Sequence, residues 1–223
     1  MKVIARIESA FPEKFGIPRQ SGLVEELASR IVFEPEYRVA EAVRGMEEFS
    51  HIWLIWQFSK AVREEWSPTV RPPRLGGNQR LGVFATRSPY RPNPVGLSCV
   101  KLDRIELDPA LGPVLHVLGA DLMDGTPIYD IKPYLPYADC RPEAVGGFAS
   151  QKPEGKLRVE IPEDLLALIP EGDRAALEGV LAQDPRPAYH KDPGRSYGLS
   201  FGDLEVHFRV TEDVLRVCTV EKK

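Results

Sequence analysis

Short apolar runs of strand length, cut off by glycine or proline and with hardly any helix between them, restrict this fold more than any other feature. Residues 3–7, 81–85, 98–107, 114–120 and 127–131 read as such strands. HIWLIWQF at 51–58 is a continuous apolar run rich in aromatic and β-branched residues, which predicts a central strand buried on both faces. Strands at this spacing predict an antiparallel barrel rather than alternating βα units. No G-x-G-x-x-G follows a strand and no G-x-x-x-x-G-K-[ST] occurs, which excludes the usual nucleotide-binding sheet.

Within 98–107, Val100 and Leu102 share one face and Ile105 and Leu107 the other. The alternation slips at Asp103 and Arg104, where a bulge is expected. Residues 10–22 have the proline and glycine density of an extended loop, in which Phe11 and Phe15 argue against disorder. Residues 35–48 suit two turns of helix, with Val39, Ala42 and Val43 on one side. Composition changes after Pro142, where 143–155 is small, polar and glycine-rich like a linker. Two short helices are predicted at 162–168 and 173–181, then a hairpin of 204–210 with 214–220. The expected fold class is mainly β: an antiparallel barrel over 1–142 and a small α+β domain over 156–223, packed on the barrel or on a partner subunit.

The net charge of −4 is a poor global advertisement for a polyanion partner. Its distribution is different. From Ser67 to Leu102 there is no Asp or Glu, while Arg71, Arg74, Arg80, Arg87, Arg91 and Lys101 fall inside that window. The window is dense in proline and glycine, so its basic side chains are mounted on constrained loops. No apolar stretch is long enough for a membrane span, and MKVIARIESAF lacks a signal-peptide core, so a cytoplasmic location is expected. Cys99, Cys140 and Cys218 are odd in number and far apart, and read as buried or incidental thiols. His51 reads as a core histidine, His116, His190 and His207 lack metal spacing, and no metal is expected.

Three segments are too rigid and too polar for scaffolding alone: PRQSGL at 18–23, RPPRLGGNQRLGVFATRSPYRPNPVGLS at 71–98 and DLMDGTPIYDIKPY at 121–134. With FSHIWLIWQF at 49–58 and LAQDPRPAYHK at 181–191, they make the chain resemble the TrmO (TsaA-like, YaeB-like) tRNA methyltransferase family over its whole length. That resemblance implies a β-barrel with a smaller C-terminal domain, a homodimer and S-adenosylmethionine as cofactor. It also implies methylation of N6 of N6-threonylcarbamoyladenosine at position 37, in the anticodon loop of threonine tRNA. Cofactor contacts are implied at Pro18, Arg19, Gln20, Arg87, Leu97, Asp121, Leu122, Met123 and Asp124, and at Ser59 and Lys60 ending the long strand.

The chemistry of that substrate adds further candidates. A threonyl carboxylate and anticodon-loop phosphates call for fixed cations, for which Arg91 and Lys132 are candidates, with Arg71, Arg74 and Arg80 on the RNA backbone. The acceptor is a weakly nucleophilic, urea-like N–H, so a positioned proton acceptor would help. Asp130, on the strand face of Lys132, suits that part, and Asn93 or Tyr134 could orient the base. Structural alternatives stand beside these: Arg87 could pin its loop by an ion pair, Asp124 could shape an Asp-Gly turn, and Tyr189 and His190 could either touch RNA or dock the tail. A module that binds S-adenosylmethionine and RNA without catalysis, or a methyltransferase with a different acceptor, remains open.

Overall fold

A computed structural model describes residues 1–62, 64–75, 79–150, 157–187, 192 and 194–223, apart from the side chain of Arg74. Strands Ala5–Glu8 (β1), Ala28–Phe33 (β2) and His51–Gln57 (β3) are followed by a short pair, Thr69–Val70 (β4) and Leu81–Gly82 (β5). Val95–Asp108 (β6), Gly112–Leu118 (β7) and Pro127–Pro133 (β8) follow. A closed barrel forms in the order β1-β2-β7-β6-β3-β8, and its neighbours pair antiparallel. Inward side chains such as Ile7, Ile31, Leu54, Leu115 and Ile128 are buried and fill the barrel as a packed core.

Several expectations are corrected. The 51–58 run is not buried on both faces: Ile52, Leu54 and Trp56 point into the barrel, while Trp53, Ile55 and Gln57 are half-exposed on its outside. Residues 35–48 form three single turns of 3-10 helix instead of α-helix: the chain is extended at Val39 (φ −117°, ψ 116°) between the first two, and Gly45 in the left-handed region (φ 82°) separates the last two. Of 81–85 only Leu81–Gly82 pairs, and Val83–Ala85 turns away. Strand β2 was not foreseen. His51 is exposed and hydrogen-bonds Ser50, and Cys140 and Cys218 are exposed, Cys99 half-buried. The bulge is present: the β6–β7 register shifts between Leu102 and Arg104.

After a short helix at Pro136–Asp139 (α1), the second unit has strand Arg158–Glu160 (β9), helices Glu163–Leu166 (α2) and Glu171–Ala182 (α3), then Tyr197–Phe201 (β10), Leu204–Thr211 (β11) and Val214–Lys222 (β12). Its sheet runs β10-β11-β12-β9, and β9 joins parallel to β12. The α3 stripe of Leu177, Val180 and Leu181 shares a core with Leu199, Val206 and Phe208 of the sheet.

That core also contains Phe11, Val24 and Leu27 from the β1–β2 connection. Phe11 meets Phe201 edge-on at 5.8 Å, and the Gly202 amide donates to the Ala10 carbonyl at 2.7 Å. At Gly16 (φ 89°) a Cβ would come within 2.2 Å of Leu199 Cδ1, so the loop lies directly on the sheet only because residue 16 has no side chain. The long first loop is thus clamped by the second unit. No helix among the described residues is long and apolar enough to cross a membrane.

Candidate functional site

Antiparallel topology brings the distant motifs together. β1, β3 and β7 all end, and β2, β6 and β8 all begin, at one end of the barrel. The β1–β2, β3–β6 and β7–β8 connections therefore emerge side by side and line a cleft of about 640 Å³. That volume falls in the range of small-molecule sites.

Pro18, Arg19 and Gln20 contribute from the first connection; Ser59, Lys60, Arg87, Arg91 and Asn93 from the second; Asp121 and Met123 from the third; Leu97 contributes from the start of β6. The connections are tied to one another. Arg87 Nη1 donates to Gln20 Oε1, and Lys14 Nζ donates to the Lys60 carbonyl at 3.2 Å. Arg87 makes no ion pair among the described residues, so none of their carboxylates pins its loop by an ion pair. Arg91 donates to the Thr86 carbonyl at 3.0 Å, which fixes its guanidinium over the cleft.

The floor is a hydrogen-bonded relay from the barrel interior. Trp56 Nε1 donates to Ser98 Oγ at 3.0 Å, and Ser98 Oγ donates to Asp121 Oδ1 at 2.6 Å. Gly96 makes room for it, because a Cβ there would lie 2.3 Å from the Trp56 ring. Burial pushes the Asp121 carboxyl up, against hydrogen bonds from Ser98 and the Ser21 amide and the charge of Arg87. Phe58 packs on Trp56 at 4.3 Å, giving the cleft an aromatic wall.

Such a lining fits S-adenosylmethionine, which presents a flat base, hydroxyls, an ammonium, a carboxylate and a sulfonium. An acidic oxygen (Asp121), guanidinium and ammonium groups (Arg19, Arg87, Lys60) and aromatic surface lie within one cavity. Among the described residues, no group of three or more His, Cys, Asp or Glu could hold a metal ion.

Other candidates lie elsewhere. The Leu122 side chain is buried in the barrel core. Asp124 shapes its turn: its Oδ1 accepts from the Ser9 amide at 3.0 Å and its amide donates to the Phe11 carbonyl at 2.8 Å, with Gly125 beside it at φ 70°. Asp130, Lys132 and Tyr134 are not cleft residues. β8 begins at the cleft end and carries each successive residue about 3.3 Å farther away. Asp130 and Lys132 pair at 3.0 Å on the outer face, and Tyr134 packs beside Trp53 at 5.8 Å. Tyr189 and His190 lie outside the described residues. Sequence reasoning missed Trp56, Phe58, Ser98 and Thr126, whose hydroxyl caps the Met123 carbonyl at 2.6 Å. The one signal for Trp56 was the glycine inside the facing strand.

Comparison with known proteins agrees with this geometry. Residues 6–140 match the tRNA-methyltransferase O N-terminal domain and residues 156–223 the TrmO C-terminal domain. A protein of Escherichia coli (strain K12) named tRNA (adenine(37)-N6)-methyltransferase is 42% identical over 228 residues, covering 99% of this chain and 97% of its own. A Pseudomonas aeruginosa protein bearing the name of an S-adenosylmethionine-dependent methyltransferase is 44% identical over 97% of this chain and 95% of its own. The crystal structure of TrmO from Pseudomonas aeruginosa superposes with a TM-score of 0.80 at 37% identity, over 99% of this chain and 96% of that one. A closed antiparallel barrel whose three connections meet in one cleft, joined to an α+β unit and matched along both, belongs to the tRNA-methyltransferase O family.

Proposed function

We propose that this chain is an S-adenosylmethionine-dependent methyltransferase that acts on N6 of adenosine 37 in tRNA, its acceptor being N6-threonylcarbamoyladenosine in the anticodon loop of threonine tRNA. The observation that carries this is the meeting of PRQ, TRSPYRPNP and DLM in a single cleft whose largest connection holds no acidic residue from Ser67 through its entry into β6. Pro18, Arg19, Gln20, Ser59, Lys60, Arg87, Leu97, Asp121 and Met123 hold the donor, while Leu122 and Asp124 hold the turn through backbone and core contacts. S-adenosylmethionine supplies, when bound, an electrophilic methyl group on its sulfonium. Arg91 meets the threonyl carboxylate, and Asn93 orients the base by hydrogen bonding. Fixing both reactants in one rigid cleft is the main contribution of the protein to rate.

The test mixes purified protein with labelled donor and tRNA, with and without prior threonylcarbamoylation, and analyses nucleosides by mass spectrometry. Label is expected only on the N6-methylated form of the threonylcarbamoylated nucleoside. Equal transfer to both tRNAs would sink this acceptor, and donor binding without transfer to either would favour the non-catalytic module.

We further infer that the chain works as a homodimer. Residues 140–150 are exposed throughout and carry Val145 (91% exposed) and Phe148. Leu97 stands 55% exposed on the barrel's outer face, in register with half-exposed Ile55. An exposed arm that carries Val145 and Phe148, and an apolar patch on the same chain, suit a second copy. Asp130 pairs with Ile55 on the opposite side from Leu97, hence about 10 Å from it. A base role for Asp130 therefore requires a cleft completed across such a pairing. Leu97→Asp is expected to shift the sedimentation coefficient from dimer to monomer; an unchanged coefficient removes this surface.

A further inference from the structure

Outside the cleft, the feature with the least structural reason to exist is a pair of solvent-exposed aromatic rings. Trp66 is 52% and Phe84 70% exposed, and their rings stack on each other at 6.0 Å with 29° between planes. Neither is in a core. Large aromatic side chains left in water forgo the burial that usually justifies them.

The pair is held in place. Val83, immediately before Phe84, is buried, and its amide donates to the Pro68 carbonyl at 2.9 Å, tying the Phe84 turn to the segment that follows Trp66. The β4–β5 ladder continues that tie, with Thr69 opposite Gly82, and Arg80 Nε donates to Thr69 Oγ1 at 2.9 Å. Arg91 lies with Cζ 5.9 Å from the Phe84 ring centroid, and the same side chain lines the cleft. One guanidinium thus joins the exposed rings to the site.

We propose that Trp66 and Phe84 form a stacking platform for an unpaired nucleobase of the RNA substrate, adjacent to the base that enters the cleft. The proposal rests on the RNA reading above. Its argument is charge and shape together. Glu64 and Glu65 precede Trp66, and from Ser67 to Leu102 the chain is only neutral or basic. A flat π surface with the Arg91 guanidinium over the Phe84 ring matches a base attached to phosphates, whereas an apolar protein partner has no use for a charge against the stacked pair. An enzyme that draws one base out of a loop also leaves its neighbour without a stacking partner, and a protein ring replaces that partner.

The test uses the full chain and an anticodon stem-loop carrying the modified adenosine. Phe84→Ala and Trp66→Ala are each expected to raise KM for RNA about tenfold, in line with a lost stacking contact, with kcat and donor affinity unchanged. Phe84→Tyr and Trp66→Phe, which keep a π face, are expected to restore KM. Arg71→Ala should flatten the salt dependence of RNA binding by about one counterion, and Phe84→Ala should leave that slope intact. Stem-loops with an abasic site at each position flanking the target complete the cycle: at one position the wild type should weaken to the level of Phe84→Ala, and the variant should weaken no further. Wild-type KM in both alanine variants, or an effect of Phe84→Ala undiminished by every abasic site, overturns the platform. If the wild type methylates no tRNA, the function reading fails separately, and direct RNA titration of the same variants still decides the platform.

Discussion

Phe11→Ala is expected to destabilise the C-terminal core by about 3–5 kcal/mol, the usual consequence of emptying a phenylalanine-sized space in a packed interior. Phe11 is 1% exposed and lies among side chains of α3 and the second sheet, although it belongs to the loop that leaves β1. The same loop carries Pro18, Arg19 and Gln20 to the cleft. Loss of the anchor should therefore loosen donor binding as well as lower the melting temperature, even though residue 11 touches no cleft surface. Thermal denaturation with and without donor, together with calorimetric titration, checks both parts. A variant that melts lower but binds the donor with wild-type affinity would separate the clamp from the site.

This coupling was not legible in the residue pattern. The sequence marks 10–22 as a structured loop through Phe11 and Phe15, but says nothing of which core receives them, because that contact joins residue 11 to residue 201. The barrel was legible from strand-length runs and their breakers, and three of its motifs converge because antiparallel order puts their connections at one end. β2 escaped notice because its first inward position is Ser29, leaving only Ile31 and Phe33 to signal the buried face. β10 was diluted in the same way by Gly198 and Ser200, and β9 is only three residues long. The position of the DIKPY segment relative to the cleft was not legible either. Its residues are adjacent in sequence to the cleft-lining DLM, yet an extended strand carries Lys132 and Tyr134 steadily away from it.

Asp121→Asn is expected to make the protein more stable at neutral pH and worse at holding its donor. Burial raises the Asp121 carboxyl above its ordinary value of 3.8, so the folded state favours the protonated form. The stability from that preference is fully present below the unfolded value and is lost as pH rises through the folded one. At neutral pH the ionised group is therefore a net burden on the fold. Asparagine keeps an oxygen to accept from Ser98 and removes the charge, so the variant's melting temperature should exceed the wild type's at neutral pH, with the difference shrinking toward acid. The retained carboxylate has a functional reason, since it faces the cleft between Arg87 and the Trp56–Ser98 relay as an acceptor for the donor's cationic or hydroxyl groups. Removing a charge-assisted hydrogen bond of this kind should weaken donor affinity about 10- to 100-fold. Melting curves across pH and calorimetry with S-adenosylmethionine read the two effects independently. Equal donor affinity in the variant would place Asp121 among the residues that only support the relay, and a lower melting temperature at neutral pH would mean that the charge is compensated in the folded protein by Arg87.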